Sequence, residues 1–207
     1  MSDLIGPSRE RLQKLLKEYN EYPDRQHDID ARIHDEYCKT VAILVLDSCG
    51  FSRSVRQHGI VNYLARLERL GRVVVPIIEA NGGRVLRIEA DNIFALFTDT
   101  AAAVRCAAEV HQHVEIANEP LPATNEIYIA IGIGYGRMLL VGDDDAYGDE
   151  MNIACKLGED LAEQGEILLT ASAREALGDA DGWQFVDSSV RISGLDLTSY
   201  RLVRETR

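Results

Sequence analysis

The spacing of apolar residues changes several times along the chain. In residues 8–20, Leu12, Leu15, Leu16 and Tyr19 recur three or four apart, and Ser8 stands where a helix cap belongs. Asn20-Glu-Tyr-Pro23 breaks that pattern, and residues 24–38 read as a second, polar helix. Residues 1–38 therefore read as a helical arm, suited either to docking on its own domain or to pairing chains. From 39 to 207 short apolar runs alternate with helical spacing. A strand is expected at 41–47, a helical stretch at 53–80 interrupted near Gly59 and Gly71, and a hairpin at 83–97. A helix at 100–117 ends at Asn118-Glu-Pro-Leu-Pro-Ala. Strands at 126–135 and 137–141, a helix at 149–163, a strand at 166–169 and a helix at 171–177 follow. Short strands near 183–187, 189–193 and 199–203 close the chain. Hairpins among helices predict an α+β fold, a mixed sheet with helices on one or both faces.

Composition narrows the picture. The chain has 207 residues, of which 46% are hydrophobic, enough for one domain and an arm. It has no run of 18 apolar residues, and its start lacks a basic-then-apolar signal pattern, so no membrane partner and a cytoplasmic location are expected. Four cysteines with no Cys-x-x-Cys fit reduced thiols, and the five histidines lack metal-ligand spacing. The net charge of −12 repels nucleic acid. It also repels polyphosphates, unless cations sit in their site.

Candidate chemistry lies in three segments. Val41-Ala-Ile-Leu-Val-Leu-Asp47 is an apolar run ending in a single acid before a turn at Gly50. Asp91 stands at the bend of the 83–97 hairpin. Carboxylates at neighbouring strand ends can share a pair of divalent cations, a recurring device for displacement at phosphorus. The third segment joins Gly132-Ile-Gly-Tyr-Gly136 to Asp149-Glu-Met-Asn152-Ile-Ala-Cys-Lys156, where Asp149 is placed to cap a helix. Asn152 and Lys156, four apart, share a face near its start, which suits an anionic ligand or a plain solvated surface.

In this order the segments resemble the class III nucleotidyl cyclase catalytic domain, over roughly residues 40–203. Leu46-Asp-Ser-Cys-Gly-Phe-Ser52 is similar to the family's Asp-x-x-Gly-Phe-Ser/Thr element. Arg87-Ile-Glu-Ala-Asp91 with Ala95-Leu-Phe97 is similar to its Lys-x-x-Gly-Asp-x-x-x-Ala-x-Phe element. Gly132–Gly136 resembles its Gly-Ile-His-x-Gly strand, and Gly148–Lys156 its Gly-x-x-Val-Asn-x-Ala-x-Arg helix. The resemblance implies a ferredoxin-like, palm-type, mainly antiparallel sheet. It implies two Mg²⁺ or Mn²⁺ ions held by Asp47, Asp91 and the Ser48 carbonyl. It also implies phosphate contacts from the amides of Gly50, Phe51 and Ser52, base reading by Arg87 and Asp145, ribose orientation by Asn152, and charge compensation by Lys156. A nucleoside triphosphate substrate and a homodimer with two shared sites follow from it.

The departures are specific. Lys156 stands for an arginine, which turns a bidentate grip into a point charge. Ala130 occupies a position where many members carry a phosphate-binding arginine, and Arg87 replaces a lysine. The usual lysine near Gly194 is missing, with Arg191 a possible substitute, and Gly136–Gly148 is short. Asp47, Asp91 and Asn152 favour catalysis; the missing cations favour a module that binds nucleotide or assembles without turnover. Asp145 favours ATP, and Arg87 leaves a pyrimidine triphosphate open. Asp143-Asp-Asp145 lacks the acids of a calcium loop at later positions. Cys49 reads as a packing residue, Trp183 as core, and Glu89 is given no role.

Overall fold

The computed structural model describes residues 2–178, 182–192 and 195–203. Helices α1 (Arg9–Glu21) and α2 (Gln26–Tyr37) precede strand β1 (Cys38–Ser48), followed by α3 (Phe51–His58) and α4 (Ile60–Ala80). Hairpin β2 (Arg84–Glu89) and β3 (Asn92–Phe97) leads through α5 (Thr100–Asn118) to β4 (Ile129–Val141) and β5 (Asp145–Tyr147). Helix α6 (Asp149–Cys155) runs into a π-helical turn at Lys156–Leu161, and β6 (Ile167–Thr170) and α7 (Ala171–Leu177) follow. Strands β7 (Phe185–Asp187), β8 (Val190–Ile192), β9 (Leu195–Leu197) and β10 (Ser199–Leu202) end the described chain.

The main sheet runs β2-β3-β1-β4-β6-β10-β7, with β5 folded against β4. Its pairs are antiparallel except β4 with β6, so the architecture is the expected mixed α+β with a mainly antiparallel sheet. The centre is β1, whose residues Val41–Leu46 are all buried because both faces of the sheet are covered. Ala42, Leu44 and Leu46 face a core built with Leu70, Val74 and Ile78 of α4 and with α5 and α7. Val41, Ile43 and Val45 face Leu4, Met138, Leu140, Met151 and Ala154. Each fully buried aliphatic side chain contributes roughly 1.5–3 kcal/mol, which makes β1 a rigid base for the acid at its end.

Several expected boundaries are corrected. The break at Gly59 is real, with φ at 80°, but α4 continues through Gly71. Burying Tyr63, Leu70, Val74, Ile77 and Ile78 on the sheet outweighs the cost of about 1 kcal/mol for a helical glycine. Strands 126–135 and 137–141 are one strand, β4, because Gly136 continues the pairing to Val41. The helix expected over 149–163 is α-helical only to Cys155. Gly148, not Asp149, is its N-cap, and no side chain caps it. The Trp183 ring packs partly buried against the main core. The arm docks on its own chain: Leu12, Leu15, Ile29, Ile33 and Tyr37 pack with Val141 of β4.

The glycines of β4 have a packing reason. On the Gly132 side of the strand, a Cβ at Gly132 would lie 2.2 Å from the Ala154 carbonyl oxygen and 2.7 Å from the Gly158 amide. Gly158 in turn approaches the Val45 carbonyl, where a Cβ would sit at 2.9 Å. Backbone therefore meets backbone where α6 and its π-helical extension cross the sheet. The alternate residues Ile131 and Ile133 belong to the opposite core.

Candidate active site

Asp47, the penultimate residue of β1, lies opposite Asn92 of β3 on one side and Ala130 of β4 on the other. Asp91 fills the two-residue bend between β2 and β3, beside Ala90, whose φ is +53°. A turn of this kind favours glycine, and the backbone strain at Ala90 accompanies the placement of the acid. With Ser48 and Gly50, both acids line one cleft of about 790 Å³. The Gly50 φ of 88° turns the chain into α3. The backbone of Phe51 and Ser52 begins that helix, while their side chains fall outside the described ones.

The electrostatics of the cleft are one-sided. Burial pushes the Asp47 carboxyl up to about 6, helped by the negative charges of Asp91, Glu159 and Asp160 and opposed by the Ser48 amide. Burial also raises Glu159, together with Asp160, Asp91 and Glu89. Asn92 donates to Glu159 Oε1 at 2.9 Å, so the π-helical turn is tethered beside the two acids. Carboxylates gathered in this way suit hard divalent cations such as Mg²⁺ or Mn²⁺. Among the described residues no group of three His, Cys, Asp or Glu side chains converges as a metal site. The acids thus offer a pair of side-chain ligands, to be completed by backbone or substrate oxygens.

Helix α4 supplies two residues that sequence reasoning missed. The Tyr63 hydroxyl lies 2.5 Å from Ser48 Oγ and donates to Asp91 Oδ2 at 3.2 Å. Three residues on, Arg66 lines the same cleft and donates to the Glu126 carbonyl. The available signal was the spacing Tyr63, Arg66, Leu70, which places an aromatic and a cation on the stripe that faces the sheet.

Arg87 and Asp145 are brought together, at 2.9 Å from Nη1 to Oδ1. Arg87 also lies over the Phe94 ring, 4.4 Å from its centroid, and within 3.3 Å of Glu89. Asp145 further accepts from the Tyr147 hydroxyl at 2.6 Å, the Ala146 amide at 2.9 Å and Arg9 at 3.2 Å. Burial works to raise this carboxyl, but those hydrogen bonds and the Arg87 charge outweigh it and hold it below the usual range. Arg9 belongs to the arm, which also threads Leu4 into the second core and exchanges backbone hydrogen bonds around Gly142, each 2.8 Å.

Asn152 and Lys156 are exposed and do not line the cleft that holds Asp47 and Asp91. Ala130, 0% exposed, offers the cleft no charge. Gly194 lies outside the described residues, as does the side chain of Arg191. Within a single chain the expected site residues therefore form three groups: the acid cleft, the Arg87–Asp145 pair, and the exposed Asn152 and Lys156 of α6 and the turn after it.

No protein-family model matches the chain. A Rhizobium meliloti (strain 1021) protein named "Putative adenylate cyclase 3" is 29% identical over 150 residues, 72% of this chain and 25% of that protein. An uncharacterized protein of Mycobacterium tuberculosis (strain ATCC 25618 / H37Rv) is 26% identical over 113 residues, 55% of this chain and 28% of its own. The chain thus spans about a quarter of the length of these relatives. Among solved structures, an adenylate/guanylate cyclase/hydrolase from Silicibacter pomeroyi superposes with a TM-score of 0.72 at 27% identity, covering 81% of this chain and 98% of that one. The adenylyl cyclase CyaB from P. aeruginosa gives 0.70 at 20% identity, covering 82% and 96%, a likeness of fold. No helix among the described residues is long and apolar enough to cross a membrane.

Proposed function

We propose, from its likeness to class III nucleotidyl cyclase domains, that the chain is a member of that family and converts a nucleoside triphosphate to a 3′,5′-cyclic nucleotide and pyrophosphate. The observation that carries this reading is the cleft in which Asp47, Ser48, Gly50 and Asp91 meet. Asp47 and Asp91, with the Ser48 carbonyl, would hold two Mg²⁺ or Mn²⁺ ions. Metal ions bound there would supply acidification of the ribose 3′-hydroxyl and charge stabilisation of the departing pyrophosphate.

The remaining work falls to the chain. Amides at the Gly50 turn and the start of α3 take phosphate oxygens. Tyr63 fixes the Asp91 carboxylate from behind, which keeps one of its oxygens in place. Asn152 orients the ribose and Lys156 offsets charge at the reacting phosphorus. In this reading both reach the cleft of a second copy, because Asn152 on α6 and Lys156 at the start of the π-helical turn are exposed and away from the cleft of their own chain. A two-fold homodimer then carries two equivalent sites.

ATP is the substrate this reading favours. Asp145 is an ionised acceptor for a base amino group once Arg9 or Tyr147 yields its place. Arg87, held by Asp145 and Phe94, keeps a pyrimidine triphosphate as the second choice. Buried Ala130 and exposed Lys156 favour the rival, a domain that binds nucleotide without turnover. Incubation with each of the four nucleoside triphosphates and Mn²⁺, with products read by mass, separates these readings. A cyclic nucleotide in one tube is expected; four unchanged substrates would leave the binding module.

A further inference from the structure

The Asp145 carboxylate is already full. Its Oδ1 accepts from Arg87 Nη1 and from the Ala146 amide, each at 2.9 Å. Its Oδ2 accepts from the Tyr147 hydroxyl at 2.6 Å and from Arg9 Nη2 at 3.2 Å. A carboxylate offers about four acceptor positions, so a further donor enters only by displacing one of these. The Ala146 amide is fixed by the backbone of β5. Arg87 is stacked over the Phe94 ring, and Tyr147 makes the shortest of the four contacts. Arg9 makes the longest, from a side chain that is 43% exposed, and it comes from the arm rather than from the sheet.

The arm is seated so as to deliver this side chain. Leu4 is buried, the Gly6 amide donates to the Gly142 carbonyl, and the Gly142 amide donates to the Pro7 carbonyl. Arg84 of β2 donates to the Leu4 carbonyl, at 3.0 Å from Nε and 2.6 Å from Nη2, and also to the Asp143 carbonyl. One side chain thus ties the start of the arm to the loop that leads into Asp145. Ser8 caps α1, which makes Arg9 its first residue and sets it over that loop. Arg9 Nη2 also reaches Asp144 Oδ1 at 3.3 Å. An exposed ion pair adds little to stability, so this contact can open while the arm stays docked.

We propose that Arg9 is a specificity-determining residue of the base site, occupying the position on Asp145 that the amino group of an incoming base must take. The arm then restrains the binding of amino-bearing nucleotides. The proposal rests on the nucleotidyl cyclase reading for its ligand, but it is read from binding and not from turnover. On binding, an N–H of the base replaces that of Arg9 on Oδ2, and the guanidinium keeps Asp144 or turns to water. Arg11 is the internal control, because it lies on the same helix and pairs instead with Glu36 of α2, at 2.7 Å.

The measurement is calorimetric titration of the full chain in Mg²⁺ with two ligands. One is 3′-deoxyadenosine triphosphate, which has no 3′-hydroxyl to cyclise; the other is the same nucleotide without its 6-amino group. Parent, Arg9→Ala, Arg9→Lys and Arg11→Ala are compared, and thermal melts confirm that each is folded. Arg9→Ala is expected to bind the amino-bearing nucleotide about three- to fivefold more tightly than the parent, the scale of one exposed ion pair. Its affinity for the amino-free nucleotide is expected to stay within about 1.5-fold of the parent, as is that of Arg11→Ala for both ligands. Arg9→Lys is expected to fall between parent and Arg9→Ala, and it decides by the same comparison should Arg9→Ala fail to fold. Equal changes for the two nucleotides in Arg9→Ala would overturn the proposal, since loss of a charge near the site would then suffice. An equal gain in Arg11→Ala would overturn it too, because loosening of the arm would be the cause. So would unchanged or weaker binding of the amino-bearing nucleotide by Arg9→Ala, or no nucleotide binding by either protein. A selective gain without any cyclic product from ATP would sustain the proposal and count against the cyclase reading alone.

Discussion

The Tyr63 hydroxyl donates to Asp91 Oδ2 at 3.2 Å while lying 2.5 Å from Ser48 Oγ. A phenol has one proton, so with that proton on Asp91 the Ser48 hydroxyl is the donor to Tyr63. The chain of donors runs from the end of β1, through α4, to the bend of the β2–β3 hairpin. Burial pushes the Tyr63 hydroxyl up to about 12, so it keeps its proton at neutral pH.

Tyr63→Phe removes this donor and keeps the ring. Outer contacts to metal-ligating groups are typically worth about 10–100-fold in metal affinity or activity. A Mn²⁺ titration of the variant is expected to show affinity lowered by about tenfold, with the fold retained in circular dichroism. An unchanged titration would remove Tyr63 from the support of Asp91.

Ala90 offers a test of strain. Its φ of +53° is the left-handed region, which a glycine enters without steric cost. Ala90→Gly is expected to stabilise the fold by up to about 1 kcal/mol, less the chain entropy a glycine brings to the unfolded state. Thermal melting then rises by about 2–4 °C for a chain of this size. A lower melting temperature would mean that the bend tolerates alanine without strain.

The Asp47 carboxyl carries a pH signature. Its folded value of about 6 lies above the ordinary 3.8, so between these values the folded state holds more protons than the unfolded one. Metal-free stability therefore falls as pH rises through that window and stays lower above it. Asp47→Asn is expected to melt higher than the parent at pH 7.5, with the gap closing toward pH 4. A divalent cation binds the ionised form, so stabilisation of the parent by Mn²⁺ is expected to grow from pH 5 to pH 7. A pH-independent Mn²⁺ effect would contradict a site built on Asp47.

The two acids were legible because each breaks an apolar run at a strand end, where a lone carboxylate has few structural uses. Tyr63 and Arg66 were not. On a helix an aromatic and a long cation at the edge of a buried stripe look like ordinary amphipathic packing, and their contacts lie 28 and 60 positions away in sequence. The glycines of β4 read as part of a strand without a reason for their size, and only the crossing of α6 at Gly132 shows them as a bed for backbone contact. The π-helical turn at Lys156–Leu161 was hidden for the same reason, because it follows from tertiary contact with Val45 and Gly132 rather than from local spacing. The anchoring of Leu4 in the second core depends on too few residues to show a period.

The central claim is that Asp47 and Asp91 of one chain work with Asn152 and Lys156 of another. It is tested most directly by mixing two inactive variants, Asp47→Ala and Lys156→Ala, by co-expression or after subunit exchange. Each mixed dimer would carry one doubly altered site and one intact site. With random pairing about half the dimers are mixed, so cyclic nucleotide formation should return to about a quarter of the parent rate per chain. No recovery, with mixed dimers demonstrated and the parent active, would contradict the claim and place the acids and the α6 residues at work within a single chain.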